Sequence, residues 1–280
     1  MIEEEVHQQF RLNKAAILEL YEKILLNLNS KTKRSHAVTG VTKLLSVLYF
    51  MASGLFQHVA SSRFGISQPT FCRILKQVLR AMMLVTKDYI KFPTTNDEIL
   101  KIKEKFFNIA GFPNFEILDI VPNFPGSCHD SYILQGTELF RRFQRGDYGD
   151  SLLLGDNGYR LNQSLMTPYL SPSTSAELRF NHAHKKTRSI GERTFGIWKS
   201  RFRCLDVSGG ALLYEPKIVC QIIIACAILH NIANAHNLET SIADDLREEI
   251  QENFEGNIPS DNAAQLVRQQ ITVDFFGNRL

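Results

Sequence analysis

Ser151-Leu-Leu-Leu-Gly-Asp-Asn-Gly158 reads as a short buried strand that runs straight into a glycine-flanked acid. Three leucines in a row suit a covered strand, and the glycines mark an abrupt turn. The side chain of Asp156 would then emerge at the strand's C-terminal end, beside open backbone. Upstream, Phe115-Glu-Ile-Leu-Asp-Ile-Val121 alternates enough for another strand, ended by Pro122 and the turn Pro125-Gly126-Ser127. Tyr132–Arg142 predicts a helix, Ile190–Leu205 an amphipathic one, and Lys217–Ala235 an apolar, central one. Strands followed by helices predict an α/β second domain over residues 96–238.

Three acids stand out in that domain. Asp130 follows the turn in Gly126-Ser-Cys-His-Asp130, Asp156 ends the strand, and Glu192 lies one turn into the amphipathic helix. Two acids on strand ends and one on a helix suit a hard divalent cation bound through oxygens. Two such ions activate water and stabilise the leaving oxygen in phosphodiester cleavage. Around Glu192, the positions Arg188, Phe195/Gly196, Lys199 and Arg203 recur at helical spacing and share one face. That stripe suits an acid that holds metal between cations that hold a nucleic-acid backbone. Simple i,i+4 salt bridging, worth about 0.3–0.5 kcal/mol a pair, accounts for the same pattern. His182 and His184 fall in a basic loop, residues 181–188, where phosphate contact or plain exposure is expected. His230 follows an apolar run and reads as a satisfied core histidine.

Residues 1–95 read as helical. Phe10–Leu28 has apolar residues at helical spacing, residues 29–36 form a basic polar linker, and a second helix, Val41–Ser53, stops at Gly54. Leu55–Phe64, the turn Gly65-Ile66-Ser67, and Gln68–Val85 have the pattern of a helix-turn-helix, at about 55–85. Ser67 is a natural N-cap, and Pro69 is tolerated in a first turn. Phe71, Ile74, Leu75, Val78, Leu79 and Met82 would face the core. Arg73, Lys76 and Arg80, with Gln68, Thr70 and Gln77, would face outward and reach bases and phosphates. An ordinary helical hairpin with a solvated basic face fits the same residues.

The chain has 280 residues, 44% hydrophobic and 22% charged, the composition of a folded globular protein rather than a disordered one. The longest apolar stretch, Ile218 to Leu229, is 12 residues broken only by Cys220 and Gln221 and falls short of the ~18 a membrane span needs, so no membrane is expected. The acidic start, Met-Ile-Glu-Glu-Glu, reads against a secretory signal. Five scattered cysteines without a Cys-x-x-Cys pair argue against a disulfide framework or a cysteine zinc site, and for a reducing compartment. The net charge of +3 divides into −6 over residues 239–280, with nine acids and three bases, and +9 before them. A basic body with an acidic, weakly structured tail suits a polyanionic partner.

Several linked stretches resemble one family, the PIF/Harbinger transposases and the nucleases that vertebrates have domesticated from them. They are Phe124-Pro-Gly-Ser-Cys-His-Asp-Ser131, Leu152-Leu-Leu-Gly-Asp-Asn-Gly-Tyr159, Leu165-Met-Thr-Pro-Tyr169, Asn181 with Arg188-x-x-x-Glu192-x-x-Phe-Gly196-x-x-Lys199-x-Arg-Phe-Arg-Cys-Leu205, and Leu229-His-Asn231. The resemblance covers roughly residues 40–238. It implies an RNase H-like DDE nuclease domain in which Asp130, Asp156 and Glu192 hold Mg²⁺ or Mn²⁺, with 35 residues between the last two. It also implies action on nucleic acid, DNA first, a Myb-like DNA-binding partner protein, and residence in nucleus and cytoplasm.

The sequence departs from that family after Gly111-Phe-Pro113. There the family has some forty residues with an Asp-Gly-Thr-His segment that carries its first catalytic acid. Here Pro113-Asn114 runs directly into Phe115-Glu-Ile-Leu-Asp119. The expected fold is therefore α + α/β, its nuclease domain short of two strands and the first Asp. Little hydrolytic activity is expected of such a chain, since nothing replaces a charged ligand. Asp119 is a weak stand-in, and the rival reading is an inactive DNA- or partner-binding remnant.

Overall fold

The computed structural model describes residues 2–29, 37–107, 116–206, 212–238 and 261–277. Most of the basic linker, the Gly111-Phe-Pro113 boundary and residues 239–260 of the acidic tail lie outside them. The chain divides into two compact units. One comprises Met1–Phe92, Asn114–Asn123 and Thr194–Leu246; the other comprises Pro93–Pro113, Phe124–Arg193 and Arg247–Leu280. Residues 96–238 fall partly in each unit.

The first unit is helical, as its apolar spacing requires. It opens with α1 (Glu3–Phe10) and α2 (Lys14–Leu28), where one continuous helix from Phe10 was expected. The break is local chemistry: Arg11 takes a left-handed φ of 58°, and the Asn13 side chain accepts the Ala16 N–H at 2.8 Å, capping α2. Helix α3 (Gly40–Ser53) ends at Gly54, whose φ of 68° a side chain would strain. Helices α4 (Gln57–Arg63) and α5 (Gln68–Leu84) follow, joined through Gly65 at φ 64°, and then α6 (Thr86–Tyr89). The apolar face of α5, from Phe71 to Met82, is buried as its spacing demands. Ser67 starts α5 in extended backbone, yet its hydroxyl donates to Thr70 Oγ1 at 3.0 Å instead of capping a helix amide.

The second unit holds α7 (Asn96–Phe107), α8 (Asp130–Gln135), α9 (Glu138–Arg145), β1 (Leu153–Leu154), β2 (Leu165–Met166) and the first two-thirds of α10 (Ser175–Arg201). The helix expected over Tyr132–Arg142 is two, because Thr137 caps the second by accepting the Phe140 N–H. The strand at 151–154 shrinks to two residues with Leu152 and Leu154 exposed, not buried. It pairs in parallel with β2, the only ladder between named strands among the described residues. The sheet of an α/β domain is therefore nearly missing there. Residues 181–188, read as a loop, lie inside α10, and His184 is buried, its Nε2 3.2 Å from the Met166 carbonyl.

Two last helices complete the chain. Helix α11 (Pro216–Ala235) runs through the core of the first unit, packed on α5 and α6. By length and composition alone its 20 residues would cross a membrane, but 56% of its most apolar stretch is buried within the protein. His230 is fully buried beside Arg201, whose guanidinium also reaches Asn234 and the Leu238 carbonyl. Burial pushes the Arg201 pKa down to about 10. Helix α12 (Asn262–Phe276) lies in what was expected to be a weakly structured tail. It packs into a small core of Leu161, Met166, Phe180 and Ala264, where Tyr169 Oη meets Thr272 Oγ1 at 2.9 Å.

Residues 116–121 form no strand. Asn231 of α11 holds Ile117 from both sides, accepting its N–H at 2.9 Å and donating to its carbonyl at 2.7 Å. The same amide donates to the Tyr89 carbonyl at 2.8 Å. A side chain thus satisfies backbone groups that a neighbouring strand would otherwise take.

Candidate active site

The chain leaves β1 at Gly155, whose N–H donates to the Met166 carbonyl at 3.0 Å. A Cβ on Gly155 would come within 3.0 Å of the Tyr159 ring, so the glycine lets the loop fold closely over itself. Asp156 follows at once. Its Oδ1 accepts the Gly158 N–H at 2.9 Å in an Asx turn, which fixes the carboxylate at the mouth of the loop. Its Oδ2 accepts from Arg188 Nη1 at 3.0 Å. The other terminal nitrogen of the same guanidinium donates to Glu192 Oε1, one turn along α10. One arginine therefore bridges the two acids.

The bridge is half-sheltered, with 21% of the Arg188 side chain exposed against 44% for Asp156 and 33% for Glu192. Charge-assisted bonds of this kind hold planar geometry well. The three groups sum to a single negative charge. Asp130 opens α8 on the same side: its charge and that of Asp156 act together on Tyr159. Burial first, then these two carboxylates, push the Tyr159 pKa up to about 12, with Arg188 opposing. The Tyr159 phenol therefore keeps its proton at ordinary pH. His129 caps α8, accepting the Ser131 N–H at 3.2 Å.

The arrangement does not fit the divalent cation that the family resemblance implies. Asp156 has both oxygens engaged, and Glu192 shares the guanidinium. Among the described residues no three His, Cys, Asp or Glu side chains are grouped to hold a metal. An ion entering here would first have to displace Arg188, losing two charge-assisted bonds. The Asp119 carboxylate accepts the N–H of its own neighbour, Ile120, at 2.9 Å.

The sequence-derived nucleic-acid residues divide likewise. Arg188, expected to position a strand, is engaged by carboxylates. Lys199 and Arg203 are exposed but lie in the first unit, because the boundary falls within α10 at Arg193. On α5, Arg73 and Arg80 are exposed and Lys76 is half-buried; Arg73 Nη2 lies 3.3 Å from Thr70 Oγ1. Tyr159 and His129 were not anticipated. Their signal was adjacency alone, three residues after Asp156 and one before Asp130.

The class of protein follows from comparison with known sequences. The family described as DDE superfamily endonuclease matches residues 107–231. The chain is 33% identical to the Homo sapiens protein named "Putative nuclease HARBI1" over 93% of its own length and 87% of the relative's. It is 34% identical to the Mus musculus protein of that name, over 79% and 74%, and 30% identical to the Xenopus laevis one, over 89% and 84%. The chain belongs to the Harbinger transposase-derived nuclease family. No solved structure matches it. The human alignment spans 303 positions but takes in 93% of 280 residues, about 260, so about 43 positions have no residue here.

Proposed function

We propose that this chain belongs to a lineage of divalent-metal-dependent nucleases acting on phosphodiester bonds, and that the polypeptide itself has little or no hydrolytic activity. The observation that carries the second half is Arg188, whose guanidinium lies across both Asp156 and Glu192. A carboxylate pair bridged by an arginine is a poor cation site, and an arginine held by two carboxylates has little left to give a phosphate. The alignment deficit of about 43 positions supports the reading that the family's first acid is missing. The chemistry left to the residues is modest: Tyr159 keeps its proton, and Asp156 and Glu192 act as acceptors. The roles of Asp130, Asp156 and Glu192 as metal-holding acids belong to the lineage under this proposal, not to the arrangement present.

A second reading is favoured by the outward Arg73 and Arg80 of α5: a helix-turn-helix that retains nucleic-acid binding after hydrolysis is lost. Family membership alone supports the further proposals of a Myb-like partner and of nuclear and cytoplasmic residence. A cleavage assay decides the first reading. Supercoiled plasmid and a single-stranded oligonucleotide are incubated with purified chain and Mg²⁺ or Mn²⁺. No product above the level of Asp156→Ala is expected, and robust cleavage abolished by that substitution would refute the proposal.

A further inference from the structure

The helical unit has a cavity of about 230 Å³ where α3 turns into α4. Gly54 lies in its wall: a Cβ there would lie 2.9 Å from the Arg203 backbone, so only glycine lets Arg203 come so close to the turn. Its mouth presents Phe56, His58, Gln57, Gln68, Arg203 and Leu213. Phe56 is 71% exposed, and its ring stacks on the His58 imidazole with centroids 6.2 Å apart and planes inclined by 20°. Leu213, 89% exposed, adds apolar surface beside it. Gln57 is held in place by donating to Tyr214 Oη at 2.7 Å.

The charges are as telling as the rings. Among the described residues neither Arg203 nor the neighbouring Arg11 forms a salt bridge. Arg11 Nε is buried with no hydrogen-bond partner, and burial and the Arg203 charge together lower the Arg11 pKa. An anion held at Arg203 would offset the repulsion that its charge exerts on Arg11.

We propose that this cavity binds one unpaired nucleotide of a nucleic-acid strand, its base on the Phe56–His58 stack and its phosphate on Arg203. A cavity below the 300 Å³ or so of drug-sized sites suits one ring system. Stacking accepts any base, so the pocket grips single strands with little sequence preference. It stands independently of the carboxylates of the other unit, and its failure would leave the proposed function untouched.

The test is fluorescence anisotropy of the full chain with a labelled ten-nucleotide thymidylate strand, a matched uridylate strand and a blunt duplex. Phe56→Ala should weaken single-strand binding about tenfold and leave duplex binding unchanged. Arg203→Gln should weaken it and reduce the salt slope by about one. Tighter thymidylate binding names DNA as the source and tighter uridylate binding names RNA, either supporting the pocket. Both substituted side chains are exposed, and matched thermal melts will show that the fold is intact. No single-strand binding by the native chain, unchanged affinity in Phe56→Ala, or an equal loss on duplex overturns the proposal.

Discussion

Arg188 and Asp156 meet at 3.0 Å across 32 residues of sequence, and the same guanidinium holds Glu192. The contact ties the loop after β1 to the middle of α10. Removing the arginine leaves two carboxylates facing each other. Arg188→Ala should therefore destabilise the chain by about 1–2 kcal/mol, between exposed and buried ion pairs. Adding Asp156→Asn should restore part of that loss, since it removes one of the repelling charges. Urea unfolding of the two single variants and the double variant measures the coupling.

Tyr159 reports on whether Asp130 and Asp156 share one site. Its pKa of about 12 should fall toward the ordinary 10 when either acid becomes an amide, with part of the rise kept because burial is its largest cause. The raised value means stability that is full below pH 10 and lost as pH climbs toward 12. Ultraviolet difference titration of Asp130→Asn and Asp156→Asn checks this. An unmoved tyrosine in Asp130→Asn would separate Asp130 from the site.

In the helical unit, Glu19 accepts from His236 Nε2 at 2.8 Å and from Tyr89 Oη at 2.9 Å. The His236 bond, foremost, holds its carboxyl below the usual 4.5. A depressed carboxyl stabilises the fold above its unfolded value, and that share is lost as pH falls from 4.5 through the folded value. Glu19→Gln should flatten this acid limb by less than about 1 kcal/mol, because the pair is partly solvated. Melting temperatures of both proteins from pH 6 to pH 3, a range of about three units around that value, make the comparison.

Asn231 replaces a strand partner for Ile117, and its loss should be costly. Asn231→Ala leaves the Ile117 N–H, the Ile117 carbonyl and the Tyr89 carbonyl without their partner. A loss of about 2–4 kcal/mol is expected, at 1–3 for each buried group left unpaired and less where water enters. Urea midpoints measure it, and a change within 0.5 kcal/mol or so, the size of an ordinary surface substitution, would contradict the role assigned to this side chain.

The helices were legible because their signals are local. The apolar face of α5, the Gly54 stop and the buried His230 follow from spacing and residue type within a few positions. The strand at 115–121 was not, since alternation predicts a strand only where another strand pairs with it, and here Asn231 of α11 takes that place. The break between Tyr132 and Arg142 was legible in principle from Gly136-Thr137, a stop followed by a cap. At the site, spacing placed Arg188 and Glu192 on one helical face but could not bring Asp156 to them. It therefore could not choose between an arginine that binds phosphate and one that binds its own acids.

Arg188, rather than a divalent ion, bridges Asp156 and Glu192. Calorimetric titration of Mn²⁺ into the purified chain, beside Asp156→Ala/Glu192→Ala, tests it most directly. No sub-millimolar binding is expected in the native chain, and no difference between the two proteins. Sub-millimolar binding that disappears in the double variant would contradict it, and would show that these acids hold metal despite the arginine between them.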